Sequence, residues 1–391
     1  MRKEEAVLIL MAKLKDGTLI RLTKDMKREH LRTWRQSTTF FCPQCNGTVQ
    51  LKVGNIIIPH FAHKKEATCS ASFSEGETQE HLQGKQQMYN FLDRVTKNVK
   101  LEPYFKALSQ RPDLLVTINA HSFPIEFQCS TIPIAQVEAR TSGYEKAGMN
   151  PIWIMATPKK LKTLPQGVNK FHFSRFEESF FTYNYPEGLV FLTYDPQFER
   201  FHYFSTLHHI VGRQYIGVHR TLPISKQIFP FARPKIPSTT DFEQYYDLFK
   251  IMRRKFLSSR IFVNRRGVNN PFLQRCYELR IIPSELPRWI GVPICTQNVF
   301  TEHPCEWQLA LVYFFEQERV RYSQLSMDDI RRFLRRFGEA PEEQVKACVE
   351  YHNFLLDMGI ESLNDCANFD ERLIKPYLSH YLQSEMKIEK I

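Results

Sequence analysis

A mixed α/β (α+β) protein built in several units is what the sequence predicts, and three observations predict it. Residues 77–156 read as helix, strand, strand, strand, helix, strand. A Cys-x2-Cys pair near the amino terminus is followed by two histidines and a third cysteine. Beyond Thr240 the apolar spacing turns helical. At 391 residues the chain can bury more than one core. The expected division is 1–73 for an amino-terminal hairpin with a metal-binding β module, 74–160 for an α/β core, 161–222 for a β extension and 238–391 for a helical carboxyl-terminal domain.

The amino-terminal module comes first. Residues 6–22 alternate as a hairpin that turns at Lys15-Asp16-Gly17, and a short basic helix is expected from Lys24 to Arg35. Cys42-Pro-Gln-Cys45 then forms a knuckle that offers two thiolates to one ion. A strand pair, Val49–Val53 with Asn55–Ile58, leads to His60-Phe-Ala-His63 and Cys69. Soft and borderline ligands at this spacing suit tetrahedral Zn²⁺, with four of Cys42, Cys45, His60, His63 and Cys69 as its ligands. The alternative is free thiols and surface histidines, which leaves the spacing without a reason. His60 and His63 are three residues apart, so they converge only if the strand ends or turns between them.

The α/β core follows. A helix from Glu77 to about Lys97 carries Leu82, Met88, Tyr89, Leu92 and Val95 on its apolar side, while Glu77, His81 and Lys85 form a polar stripe at i, i+4 and i+8. That stripe, with Glu80 beside it, either contacts metal and phosphate or is a solvated helix face. Strands are expected at 99–106, 112–119 and 122–129. The last two bring Arg111-Pro112-Asp113 and Glu126-Phe127-Gln128 together at neighbouring strand ends. Two carboxylates there supply hard oxygen ligands for Mg²⁺ or Mn²⁺, the ions that activate water and neutralise a phosphodiester. Glu126 and Gln128, two apart, leave one face of the sheet. Gln128 can orient a water but carries no charge. Ser130 and Thr131 then cap a helix at 133–147 that has Pro133 in its first turn, and Gln136, Arg140 and Tyr144 repeat every four residues along it. This second stripe can grip phosphate through Arg140 or be an ordinary helix exterior. Pro151 to Ala156 reads as a buried strand.

The remainder is less specific. Strand-like runs occur between 168 and 206, and the proline-rich stretch 223–237 reads as a linker. In the helical region Arg253, Arg254, Arg260, Arg265, Arg266, Arg331, Arg332, Arg335 and Arg336 alternate with Phe256, Phe262, Phe333 and Phe337, as a phosphate track or a solvated edge does. A net charge of +11 favours a polyanionic partner. The nine scattered cysteines are not a disulfide framework, the first residues are too acidic for a signal peptide, and no apolar run reaches membrane-spanning length, so a cytoplasmic location is expected.

Taken in order, Cys-Pro-x-Cys, His-Phe-Ala-His, Glu-x3-His-x3-Lys, Arg-Pro-Asp, Ile-Glu-Phe-Gln-x-Ser, Arg-x3-Tyr and Ile-Trp-Ile resemble the competence protein CoiA family, and the element order resembles the restriction-endonuclease-like PD-(D/E)xK core. The resemblance spans about residues 6–160. It implies a metal-dependent nuclease fold acting on DNA taken up in natural transformation, with glutamine usual at the lysine position. The catalytic set expected is Asp113, Glu126, Gln128, Glu77, Glu80, His81 and Lys85, with Mg²⁺ or Mn²⁺ on Asp113 and Glu126. Arg111, Ser130, Arg140, Tyr144, Arg253, Arg254, Arg331 and Arg335 are the expected DNA contacts, to single-stranded or branched DNA. Recombinase or helicase proteins are the expected protein partners. A non-cleaving DNA-binding recombination accessory is the alternative, and Gln128 keeps it open.

Overall fold

The structure, a computed structural model, describes residues 8–23, 25–55, 57–63, 78–184, 188–262, 269–294, 299–336, 341–363, 365 and 378. Cys69, Glu77, Arg265, Arg266 and Phe337 lie outside the described residues, as does the side chain of Phe262. The chain forms two compact units: Met1–Thr163 with Leu192–His202 and Thr221–Ala232, and Leu164–Phe191 with Tyr203–Arg220 and Arg233–Ile391.

The first unit begins with β1 (Leu8–Ile9), β2 (Met11–Lys13), β3 (Leu19–Arg21), α1 (Arg28–Ser37), β4 (Phe40–Phe41), β5 (Thr48–Lys52) and β6 (His60–His63). Its strands form a sheet in the order β1-β6-β5-β4-β2-β3. Alternating burial along β5 turns Val49 and Leu51 inward, where they meet Leu31 of α1, Ile9, Phe40 and Phe61. Two expectations are corrected here. The helix starts at Arg28, not Lys24, and the partner of β5 is His60–His63, not Asn55–Ile58.

Next come α2 (Gln79–Thr96), β7 (Val99–Leu101), β8 (Leu114–Ile118), β9 (His121–Gln128), α3 (Ile134–Lys146), β10 (Ile152–Ala156) and α4 (Lys159–Lys162). Thr78 caps α2 by accepting from the His81 N–H. The α2 side chains Leu82, Met88, Phe91 and Leu92 are buried, but Val95 is exposed. Gly84 is required by packing, since a Cβ there would stand 2.2 Å from the Phe127 ring. β8 and β9 form an antiparallel hairpin whose tip residues, Asn119 and Ala120, both have positive φ, the conformation of a two-residue primed turn. β9 and β10 run parallel, with Trp153 opposite Glu126 and Met155 opposite Gln128. Met155 and Ala156 pair in parallel with Thr193 and Tyr194 in turn. α3 starts after Pro133 with no side-chain cap, so the Ser130/Thr131 cap expected from the sequence is not made.

The second unit contains β11 (Gly167–His172), α5 (Arg175–Glu178) and β12 (Thr182–Asn184), together with parts of β13 (Gly188–Asp195), β14 (Arg200–Val211) and β15 (Gln214–Pro223). Here Phe173 has the rings of Phe171, Phe191, Phe204 and Tyr215 between 5.6 and 6.1 Å away. Its helices are α6 (Thr239–Phe262), α7 (Pro271–Glu278), α8 (Pro304–Glu318), α9 (Met327–Arg335) and α10 (Glu342–Asp357). α8 is apolar on nearly all sides and is accordingly the buried helix of this core, through Leu309, Leu311, Val312, Phe314 and Phe315. The stretch expected to be a linker starts inside the first unit. Phe229 and Phe231 there pack on Phe123, Phe91 and Phe201, because their rings gain more by burial than a spacer does. Among the described residues no helix is long and apolar enough to cross a membrane.

Candidate active site and metal cluster

Leu114 of β8 pairs with Ile125 of β9, so the register sets Asp113 opposite Glu126 where the two strands leave the hairpin. The Asp113 Oδ2 accepts from the Phe127 N–H at 2.9 Å and lies 3.1 Å from His81 Nε2. Its Oδ1 is 3.5 Å from Lys85 Nζ. His81 and Lys85 are one turn apart on α2, and the buried Leu82 and Met88 anchor the helix that presents them. Burial alone pushes the Asp113 carboxyl up. The charges of His81 and Lys85, with the hydrogen bonds from His81 and Phe127, more than offset it and hold the group well below the usual carboxylate range.

Glu126 is only 4 % exposed. Its Oε1 accepts from the Arg140 guanidinium and, at 2.5 Å, from the Tyr144 hydroxyl, so one turn of α3 supplies both donors. The Arg140 guanidinium also lies 5.5 Å from the Trp153 ring centre and 3.4 Å from the Arg111 carbonyl. Burial pushes Glu126 up to about 7; Arg140 and the Tyr144 hydrogen bond oppose the rise, and Asp113 adds to it. A buried carboxylate whose charge is made more costly by a neighbouring acid is one that a cation relieves. Gln128, two residues on, is buried and donates its amide to the Ser130 carbonyl at 2.8 Å.

Asp113, Glu126, Gln128, His81 and Lys85 are thus gathered at one corner of the sheet. Lys85 is fully buried, so it meets carboxylates and no solvent. Glu80 is exposed and turned to Lys162, which also binds the buried Asp195 at 3.1 Å. Arg111 is half-buried and Ser130 exposed. Arg140 and Tyr144, expected as a DNA-facing wall, serve instead as the donors to Glu126, and Tyr144 has no exposed surface. Arg253 is a brace: its guanidinium donates to the carbonyls of Leu286, Pro287 and Ile290 at 2.9–3.2 Å. Arg254, Arg331 and Arg335 are exposed. Glu102, Lys162 and Asp195 were not legible as site residues; only the position of Asp195 at a strand end could have marked it.

In the amino-terminal sheet the Sγ atoms of Cys42 and Cys45 and a ring nitrogen of His63 lie within 4.8 Å of one another, a group that can hold a metal ion such as zinc. The knuckle is built for sulfur: the Gln44 N–H points at Cys42 Sγ and the Gly47 N–H at Cys45 Sγ, each at 3.4 Å, while Asn46 takes positive φ to close the turn. His63 Nε2 is 3.3 Å from Cys45 Sγ. Burial, with Arg111 nearby, pushes His63 down and so keeps its ring in the neutral, ligating form. His60 is outside this group. Because β6 is a regular strand, residues three apart face opposite ways, and the His60 Nδ1 turns to the Ile58 carbonyl at 2.9 Å.

Comparison with known proteins matches two stretches of the chain to family models. Residues 77–232 match the family described as competence protein CoiA, nuclease-like domain, and residues 23–72 match competence protein CoiA, N-terminal domain. The competence protein CoiA of Bacillus subtilis (strain 168) is 32% identical over 282 residues, 71% of this chain and 71% of that protein. No solved structure matches the chain.

Proposed function

Because the chain belongs to the competence protein CoiA family, we propose that its nuclease-like domain has a PD-(D/E)xK core and hydrolyses phosphodiester bonds in DNA taken up by the cell, with Mg²⁺ or Mn²⁺ held by Asp113 and Glu126. The observation that carries this reading is the pairing of these two acids across β8 and β9 beside His81, Lys85 and Gln128. The donor set fits: both are hard oxygen ligands, and Asp113 adds to the cost of the buried Glu126 charge, which a cation between them would relieve. An ion held by Asp113 and Glu126 would supply Lewis-acid chemistry to a phosphoryl oxygen and to a bound water. His81 fixes the rotamer of Asp113. Arg140 and Tyr144 do the same for Glu126. The Gln128 amide orients water without supplying charge. Arg111 and Ser130 meet the DNA backbone beside the site, and the exposed Arg254, Arg331 and Arg335 add affinity in the helical domain without taking part in the chemistry. A structural Zn²⁺ on Cys42, Cys45 and His63, with Cys69 as fourth ligand, steadies the amino-terminal module.

One observation favours a second reading, that of a DNA-binding recombination accessory without turnover. The Glu126 Oε1 is already taken by Arg140 and Tyr144, and the buried Lys85 does not stand where a phosphate could meet it. Purified protein given labelled single-stranded, duplex and branched DNA with Mg²⁺ or Mn²⁺, beside Asp113→Ala, separates the two. Cleavage confined to the unmutated protein supports the nuclease. Retention of DNA without cleavage under every condition supports the accessory.

A further inference from the structure

Glu102 follows β7 with φ +48°, a backbone conformation that glycine or asparagine adopts at lower cost. It nevertheless carries a carboxylate side chain that is only 3% exposed. A side chain kept at a strained and buried position is kept for its contacts. Glu102 Oε1 accepts from Lys85 Nζ at 2.5 Å, and its two carboxylate oxygens lie 3.3–3.4 Å from the N–H of Leu10 in the amino-terminal module. Its own N–H donates to the Asp113 carbonyl at 2.9 Å. Glu102 therefore holds Asp113 twice, once through the backbone and once through Lys85, whose ammonium lies 3.5 Å from Asp113 Oδ1.

We propose that Glu102 is a positioning residue of the Asp113 site: it holds the fully buried Lys85 side chain at 2.5 Å and so keeps that ammonium 3.5 Å from Asp113 Oδ1. The inference rests on the nuclease reading only for what Asp113 then binds. A buried ammonium must be paired. Glu102 is nearer to the ammonium than Asp113 is, by 1 Å. With the Glu102 charge gone, the ammonium is drawn toward Asp113 and opposes any cation there.

The test uses the full chain and two readouts. In metal-free protein, the effects of Glu102→Gln and Asp113→Asn on the denaturation midpoint are measured singly and together, then again with Lys85→Met. Coupling through Lys85 makes them non-additive, and the non-additivity vanishes in the Lys85→Met background. Additive effects in both backgrounds overturn the proposal. The second readout is Mn²⁺ affinity by electron paramagnetic resonance. Glu102→Gln weakens it at least about ten-fold, and Lys85→Met with Glu102→Gln restores it. Folded Glu102→Gln protein that binds Mn²⁺ as the unmutated chain does also overturns the proposal. Should Mn²⁺ binding be no different in Asp113→Ala, the metal-site reading fails on its own, and the metal-free coupling decides the role of Glu102.

Discussion

Gly84→Ala is the perturbation whose consequence the packing defines most sharply. An ideal Cβ at this turn of α2 stands 2.2 Å from Phe127 Cε1, 2.8 Å from Cζ and 2.9 Å from Cδ1. Ordinary contact begins near 3.4 Å, so helix and strand must part by about 1 Å unless the ring gives way. The ring cannot easily do so. It is 2 % exposed and held between Tyr194, 6.0 Å away, and His81, 5.9 Å away. Overpacking of this kind costs about 1–3 kcal/mol, against which alanine returns up to about 1 kcal/mol of helix propensity. With the full propensity returned, the net loss of stability expected in denaturant titration is about 0–2 kcal/mol. Under the proposed nuclease function, cleavage suffers more. Phe127 lies between Glu126 and Gln128 and donates its N–H to Asp113, so a shift of about 1 Å there costs on the order of 100-fold in cleavage. A Gly84→Ala protein that is as stable and as active as the unmutated chain would refute this account of the α2–β9 contact.

Three further outcomes follow from the same geometry. The folded Glu126 carboxyl is raised from 4.5 to about 7, so its stabilising contribution is complete below pH 4.5 and is lost as pH rises toward 7. Glu126→Gln should remove that part of the stability-versus-pH slope, while metal-dependent cleavage by the unmutated protein rises through pH 7 as the carboxylate forms. Metal analysis should find about one zinc per chain, retained in His60→Ala and lost when Cys42 and Cys45 are both serine. Zinc lost with His60, or kept without the cysteines, contradicts the ligand set. Finally, Arg253→Ala should lower the melting temperature by removing donors to three carbonyls, at about 2–3 kcal/mol, and leave the salt dependence of DNA binding unchanged. Replacing Arg254, Arg331 and Arg335 with glutamine should flatten that dependence and leave the melting temperature alone.

The sequence was most readable where spacing and chemistry coincide. The hairpin carrying Asp113 and Glu126, the helix with His81 and Lys85, and the Cys42-Cys45 knuckle stand at or near the expected residues, since strand alternation, helical repeats and ligand spacing are local signals. What was hidden is non-local. A two-by-four repeat made Arg140 and Tyr144 look like a polar exterior, because nothing in their own helix reveals that Glu126 waits on β9. Arg253 looked like one more surface cation until three carbonyls were seen around it. Glu102 sits in a strand end with no motif, and its role depends on Leu10 and Lys85, 92 and 17 residues away in sequence. Strands β13 to β15 each contribute to both units, an interleaving that no composition shift announces.

The central claim is that Asp113 and Glu126 hold the metal that cleaves DNA, and single-turnover cleavage of labelled DNA in Mg²⁺ or Mn²⁺ tests it most directly. The account predicts that Asp113→Ala and Glu126→Ala each abolish cleavage and still retain DNA nearly as the unmutated protein does, since they remove metal ligands and no phosphate-binding cation. Cleavage at the original rate in both variants, or none by the unmutated protein with either metal on any substrate, would contradict it.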